Sequence, residues 1–309
     1  MVPSAIALVA IVLFAALLVD RLIGDPQSVW HPVALIGRFI GWWGKPERYS
    51  PKIQRFTGVA LWLVTIVLFA APFYCFAALA PWFLYLLIAP FLLKCCFAWR
   101  SLEEHMFAVV DALRYGIENG RDKVRMLVSR STANLDREHI LSAGYESMTE
   151  NLTDSIISPL FFFCLFGLTG AAVFRAANTM DAMLGYRDER ERIGWCAARM
   201  DDVLNYIPAR ITTLLILLHF AQKGRFSSAL LIMRRDGKNR PGFNGGIVMA
   251  AMAGGAGVRF EKPGMYTIGD SERTLDEGGS DILEATRTVT LMFVLIAVCT
   301  LFLLGSLIK

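Results

Sequence analysis

Charge is scarce in this chain. Lys, Arg, Asp and Glu supply only 19% of its 309 residues, where a soluble domain carries about 25%. The six cysteines (75, 95, 96, 164, 196 and 299) form no CxxC, and the four histidines (31, 105, 139 and 219) form no HxxxH. A zinc site or a disulfide framework is therefore not expected, and the thiols read as buried and free. No GxxxxGK[ST] occurs, so a Walker-type P-loop is absent. Net charge is +4 and the pI about 8.8, yet no basic block or RNA-binding signature accompanies them, so nucleic acid is not an expected partner. Internal repeats and low-complexity tracts are lacking too. What the chain has is apolar residues: 55% of the total, a mean hydropathy of +0.48, and long uncharged runs. The expectation is an all-α integral membrane protein.

Val2 to Val19 is uncharged and long enough to cross the lipid bilayer as a helix. Gly58 to Leu93 is also uncharged and carries Pro72, Pro81 and Pro90, which fits a hairpin of two spans turning near Pro81. Thr288 to Ile308 is a fourth span. The stretches 155–174 and 207–222 are apolar but doubtful. With four spans and the N-terminus outside, every one of the 31 Lys and Arg except Lys309 falls on the cytoplasmic side. Crossings at the two doubtful stretches would send Arg175 to Arg199 outside, against the positive-inside tendency. Those stretches read as core, re-entrant or interfacial helices. The organisation expected is a membrane region over 1–99 with three spans and a cytoplasmic loop, a cytoplasm-facing helical body over 100–287, and a last span over 288–309. Localisation is the cell membrane, with the site facing the cytoplasm.

Four polar clusters interrupt the apolar chain. The first, Asp20-Arg21-Leu22-Ile23-Gly24-Asp25-Pro26 with His31-Pro32, begins where the first span ends; an interfacial stop explains Asp20 and Arg21 better than it explains Asp25 and His31. In the second, Glu146, Glu150 and Asp154 recur at i, i+4 and i+8, a stripe of like charges on one helix face. It calls for a compensating cation, and Mg²⁺ suits hard oxygen ligands; a solvated acidic helix start is the plainer explanation. The third holds Arg175, Asn178, Thr179, Asp181, Gly185 and Tyr186, and the fourth Arg199, Asp201, Asp202, Asn205 and Arg210. Ion pairing accounts for any one pair, but carboxylates, amides and arginines together also suit Mg²⁺ and phosphate oxygens. A further group, Arg234-Arg235-Asp236 with Asn239, Arg240 and Asn244, leads into the Gly-rich stretch 242–257. There glycine permits either close approach to a ligand or tight helix packing.

Taken in order, DRLIGDP…HP…GR, ESMTENLTDSIISPLFF, ANTMDAMLGY, ARMDDVLNYIPAR, RRD…N…N and KPGMYTIGD resemble the adenosylcobinamide-phosphate synthase family, membrane enzymes of cobalamin biosynthesis. The resemblance runs from residue 20 to about 290. It implies an acid–amine ligase that joins the corrinoid adenosylcobyric acid to (R)-1-aminopropan-2-ol or its O-phosphate with ATP as co-substrate. Arg175 stands where the family often has Lys, Ser155 where Gly is common, and Met249 where many members carry an acid.

A carboxylate and an amine do not condense in water at pH 7, so activation through an acyl phosphate is expected, with Mg²⁺ and arginines stabilising the phosphoryl group. The metal ligands expected are Glu150, Asp154, Asp181 and Asp201 or Asp202. Arg175, Arg199, Arg210 and Arg235 are candidates for phosphate oxygens. Asn151, Asn178, Asn205, Asn244 and Asp236 are candidates for orienting substrate amides and phosphates. Asp25, His31, Glu146 and Arg199 are the candidate catalytic groups, with Asp25 or His31 deprotonating the amine. Two other readings compete: a Mg²⁺-dependent intramembrane prenyltransferase, through Asn178–Asp181 and Asp201-Asp202, and a transporter, which the missing repeat disfavours.

Overall fold

The computed structural model describes residues 5–25 and 28–307. The expected span start at Val2, Pro26 of the first motif, and the chain end at Ile308 and Lys309 lie outside them. Thirteen α-helices follow in order: α1 (Ala5–Ile23), α2 (Pro32–Trp43), α3 (Gln54–Leu79), α4 (Trp82–Lys94), α5 (Trp99–Ala112), α6 (Ile117–Val124), α7 (Arg137–Asn151), α8 (Ser158–Leu184), α9 (Trp195–Leu204), α10 (Tyr206–Gln222), α11 (Phe226–Asp236), α12 (Gly245–Ala256) and α13 (Leu275–Leu307). Sheet among the described residues is one hairpin, β1 (Phe260–Lys262) with β2 (Tyr266–Ile268).

The protein is a multi-pass membrane protein. Five stretches are long and apolar enough to cross a bilayer: Ile6–Ile23, Gln54–Leu79, Trp82–Ala112, Arg137–Leu184 and Leu275–Ser306; Trp195–Leu204 with Tyr206–Gln222 would add a sixth as one broken span. The four expected spans are among them. The α3–α4 hairpin turns at Ala80–Pro81, both extended, because proline disfavours a helical residue before it. Phe76 stacks on Tyr85 across the turn, centroids 6.0 Å apart.

The chain divides into two compact units, 1–98 with 158–205 and 296–309, and 99–157 with 206–295. This departs from the single body expected over 100–287: α8 and α9 pack with the N-terminal helices, α8 against α2, α3 and α4. Within α8, Gly167, at φ 63° and ψ −157°, breaks the helix. Phe162 stacks on Phe174 with centroids 5.4 Å apart, although twelve residues of straight helix would separate them by ~18 Å. A Cβ on Gly170 would lie 2.4 Å from the Phe162 carbonyl oxygen. The segment 158–184 therefore folds back on itself. Its tip, Leu165 and Phe166, is exposed and apolar, the form of a re-entrant hairpin and not of a straight crossing.

In the second unit α7 starts at Asp136, whose carboxylate accepts from the His139 backbone N–H at 2.9 Å, a side-chain N-cap. α7 runs into a π-helical turn over 152–157, a rare local widening that recurs at functional sites. The stretch 242–257 resolves toward packing: a Cβ on Gly254 would sit 2.6 Å from Ile232 Cβ, and one on Gly255 2.0 Å from the Phe220 ring. Both glycines let neighbouring helices close on α12. Pro263-Gly264 turns the β hairpin, closed by the Met265 N–H to the Lys262 carbonyl at 2.9 Å, with Gly264 at φ 72°. That register sets Lys262 directly opposite Tyr266.

Candidate active site

The most concentrated polar chemistry of the second unit gathers on α7. Glu146 is buried, 6% exposed, and accepts hydrogen bonds from Ser142 Oγ at 2.6 Å, Tyr266 Oη at 2.6 Å and Arg130 Nη2 at 3.2 Å. One turn on, Glu150 is ion-paired with Arg240. Arg240 also feels the charge of Asp154, in the π turn. The carboxylate stripe therefore finds its compensating charge in two guanidinium groups, and the π turn takes Asp154 off the straight i, i+4, i+8 line. Arg130 is largely buried, and its Nε and Nη1 have no hydrogen-bond partner. Two unmade donors on a buried cation are expensive, on the order of 1–3 kcal/mol each. Lys262 lies within the field of this group. Burial, then the neighbouring Arg130, pushes its ammonium below the usual lysine range, while Glu146 opposes the shift. Burial and Glu146 together push the Tyr266 phenol up.

Other sequence candidates in this unit are engaged elsewhere. Arg235 bonds Asp236 through Nε and Nη2, each at 2.8 Å, and Asp270 through Nη1 and Nη2 at 3.0 and 2.9 Å. Asp236, 6% exposed, also accepts the Gly269 N–H at 2.8 Å. The RRD and GD motifs thus form a latch that fastens α11 to the end of β2, in place of the phosphate contact expected of Arg235. Arg210 donates to Asn244 Oδ1 at 2.6 Å and to the Phe243 carbonyl at 3.1 Å, and lies 3.6 Å above the Tyr206 ring. It secures the loop that starts α12. Asn151 stays on its own helix, donating to the Ser147 carbonyl at 2.9 Å and accepting from Ser155 Oγ at 2.8 Å.

The first unit holds two separate polar groups. Lys94, buried at the end of α4, contacts Asp20 at 3.1 Å and is also ion-paired with Asp25. Beside them lies a cavity of about 530 Å³ lined by Asp25, His31 and Arg175, among others. His31 caps α2: the Val33 backbone N–H donates to its Nδ1 at 3.3 Å. A backbone amide can only donate, so Nδ1 carries the lone pair and the ring proton sits on Nε2. Burial lowers the imidazole pKa, with Asp25 opposing and Lys94 and Arg175 reinforcing. His31 thus presents an N–H, not the lone pair that deprotonating an amine requires. The second group stitches α8 to α9: Asn178 Nδ2 donates to Asp201 at 3.2 Å, Asn205 Nδ2 to Asp201 at 2.9 Å, and Ser158 Oγ to Asn205 at 2.6 Å. Asp201, Asn205 and Ser158 are all buried. Arg199, by contrast, has a 58% exposed side chain and pairs loosely with Asp202 at 3.7 Å. Asp181 packs over Gly185, where a Cβ would lie 2.0 Å from its Oδ1.

Among the described residues no three His, Cys, Asp or Glu converge on a point where they could hold a metal ion. The five expected ligands, Glu150, Asp154, Asp181, Asp201 and Asp202, form no ready-made cage. Mg²⁺ needs none: it is commonly held by one or two carboxylates plus substrate phosphates and water. The carboxylates of Glu150 and Asp154 are hard oxygen donors of the type such an ion takes. Lys94, Arg130, Arg240, Lys262 and Tyr266 were not singled out as site residues by sequence. Lys262 and Tyr266 were within reach, since both stand in KPGMYTIGD. Arg130, in a polar loop without a motif, gave no signal.

The family model described as CobD/Cbib protein matches residues 13–293. A protein of Methanothermobacter thermautotrophicus, named probable cobalamin biosynthesis protein CobD, is 39% identical over 92% of this chain and 94% of its own length. One of Thermococcus kodakarensis with the same name is 41% identical over 83% of this chain and 84% of its own. The cobalamin biosynthesis protein CobD of Pelobacter propionicus is 36% identical over 95% of each. No solved structure matches this chain.

Proposed function

Because the chain belongs to the CobD/Cbib family of cobalamin biosynthesis proteins, we propose that it is an ATP-dependent acid–amine ligase joining adenosylcobyric acid to (R)-1-aminopropan-2-ol O-phosphate or aminopropanol. The product is adenosylcobinamide phosphate or adenosylcobinamide. The reading rests on the family match along nearly the whole chain. The observation that supports its chemistry is the buried Arg130, with two donors unmade beside Lys262, Arg240 and the carboxylates of α7.

Amide formation at neutral pH needs a better leaving group than hydroxide. Transfer of a phosphoryl group from ATP to a corrin side-chain carboxylate releases ADP and gives an acyl phosphate. The amine nitrogen then attacks the carbonyl carbon, phosphate departs, and the nitrogen loses a proton. Arg130, Arg240 and Lys262 are the groups suited to phosphate oxygens, since charge-assisted donors in a water-poor site give most where charge moves. Glu150 and Asp154 are the groups suited to Mg²⁺, which when bound to ATP neutralises developing phosphoryl charge. Glu146 and Tyr266 position Arg130. The active region is placed on the cytoplasmic side of the cell membrane, where the basic loops concentrate.

The test is turnover. Detergent-solubilised protein is incubated with adenosylcobyric acid, ATP, Mg²⁺ and the amine, and the product mass is measured. A product heavier by the amine minus one water, formed only with ATP, is expected; ATP-independent product or none refutes the reading.

A further inference from the structure

The first unit also holds an apolar groove of about 560 Å³ between α2, α3 and α4, with Leu35, Phe39, Leu68, Pro72, Phe76 and Leu92 in its walls. Among the described residues that line it none is charged and only Thr65 is polar. The Thr65 hydroxyl is already committed, donating to the Leu61 carbonyl at 2.6 Å. A polar group entering the groove would lose its water and find no partner, so the groove suits a hydrocarbon chain. Its position agrees. The α3 wall belongs to the span Gln54–Leu79, and Leu35 and Leu68 are exposed, so the groove opens toward lipid.

At one end of this groove stands positive charge. Phe39 stacks on Trp42 with centroids 5.8 Å apart, and the Arg48 guanidinium lies 5.7 Å from the centre of the Trp42 ring. Two ring contacts thus lead from the groove wall to a guanidinium. Gln54 fixes that place. Its buried amide donates to the Pro46 carbonyl at 3.1 Å and to the Tyr49 carbonyl at 3.3 Å, which holds the loop carrying Arg48 against the first turn of α3. Arg55, in that turn, is the last charge before the uncharged run from Gly58, so Arg48 sits where the span leaves the hydrocarbon. Trp42 is the kind of ring that favours the headgroup layer. Residues 38–55 carry Arg38, Lys45, Arg48, Lys52 and Arg55 but a single acid, Glu47. Among the described residues neither Lys45 nor Arg48 is ion-paired.

An apolar groove along a span, ending at cations at headgroup depth, has the two-part chemistry of an anionic phospholipid. We propose that one anionic phospholipid of the bilayer binds here, with an acyl chain along the groove of α2, α3 and α4 and its phosphate against Arg48 and Lys45. A zwitterionic lipid brings the same chain, but its own cation opposes the two basic residues. A free phosphate brings the charge and leaves the groove empty. The site is separate from the ligase reaction and stands or falls without it.

Lipid retention by the full-length protein tests this. Immobilised protein is equilibrated with detergent micelles holding equal amounts of phosphatidylglycerol and phosphatidylcholine of the same acyl chains, washed with detergent, and its lipid extract is quantified. About one phosphatidylglycerol per chain is expected, retained at least fivefold over phosphatidylcholine. Excess glycerol 1-phosphate should not displace it. Lys45→Gln with Arg48→Gln, both exposed, should bring the two lipids to equal retention. Leu68→Trp, which narrows the groove, should lower retention of both. If Leu68→Trp does not fold, the Lys45 and Arg48 double variant carries the test by itself. Equal retention of the two lipids by the wild type, a preference that survives in the double variant, or displacement by glycerol 1-phosphate overturns the site.

Discussion

Replacing Lys94 with Met tests the electrostatics of the first unit most directly. Lys94 and Asp20 are 4% and 0% exposed, so neither charge can turn to water. Lys94→Met preserves side-chain length and apolar packing while leaving the Asp20 carboxylate buried without its ammonium. Removing one partner of a buried pair typically destabilises by about 3–5 kcal/mol. At roughly 2 °C per kcal/mol for a chain of this size, the unfolding midpoint should fall by about 6–10 °C. The reciprocal change is not symmetric. Asp20→Asn leaves Lys94 paired with Asp25 and should cost no more than about 1 kcal/mol. The double variant Lys94→Met with Asp20→Asn removes both buried charges and should recover most of the loss, within about 1–2 kcal/mol of wild type, as charge-free replacements of buried pairs do. The assay is intrinsic tryptophan fluorescence during thermal unfolding, in one detergent and at one salt concentration. A single Lys94→Met variant melting within 2 °C of wild type would refute the reasoning, as would a double variant no more stable than that single one.

Arg235→Gln breaks the latch to Asp236 and Asp270 and should lower stability by about 1.5–3 kcal/mol, the range for hydrogen bonds to charged groups, while the KM for ATP changes less than about twofold; a large KM change with normal melting would return Arg235 to phosphate binding. Exchanging the loose surface pair, Arg199→Asp with Asp202→Arg, should shift stability by no more than about 0.5 kcal/mol and retain ligase turnover within a few-fold, and collapse of turnover in a stably folded exchange variant would make Arg199 a substrate contact. Stability should also depend on pH in two steps. Burial depresses the His31 imidazole in the folded chain, so its contribution is full above the unfolded value of about 6.5 and is lost as pH falls through the folded value. Arg235 and the Gly269 N–H hold Asp236 below the usual carboxylate range, so that contribution is full above about 4 and disappears at lower pH. Melting scans in a pH series should show both, and His31→Gln should shrink the upper step while leaving the lower one unchanged.

The membrane helices were legible because uncharged runs of that length have few alternatives, and Pro81 marked the hairpin turn without help from tertiary contacts. The fold-back at Gly167 was half legible. Charge placement argued against a crossing at 155–174, but nothing local to Gly167 distinguishes it from Gly170, three residues on, which stays helical. Site residues were readable where chemistry follows spacing along a helix, as for Glu146 and Glu150. They were missed where it follows pairing across the chain. Lys94 stands just past the uncharged run 58–93, and only the packing of α1 against α4 makes it the shared counter-ion of Asp20 and Asp25. Arg235 erred the other way: three basic and acidic residues in a row suggested a phosphate contact, while Asp270, distant in sequence, takes up that guanidinium.

The fold-back also bears on how the chain is threaded during synthesis. Membrane sidedness is a matter of parity, since each added crossing exchanges inside for outside for everything that follows. A continuous helix from Arg137 to Leu184 would add one crossing, and residues 185 onward, including the Asn205 and Arg235 regions, would emerge on the opposite face. A returning hairpin adds none. One backbone torsion at Gly167, costly for any residue with a Cβ, is thus the local feature that distinguishes a stretch counted as a crossing from one that is not.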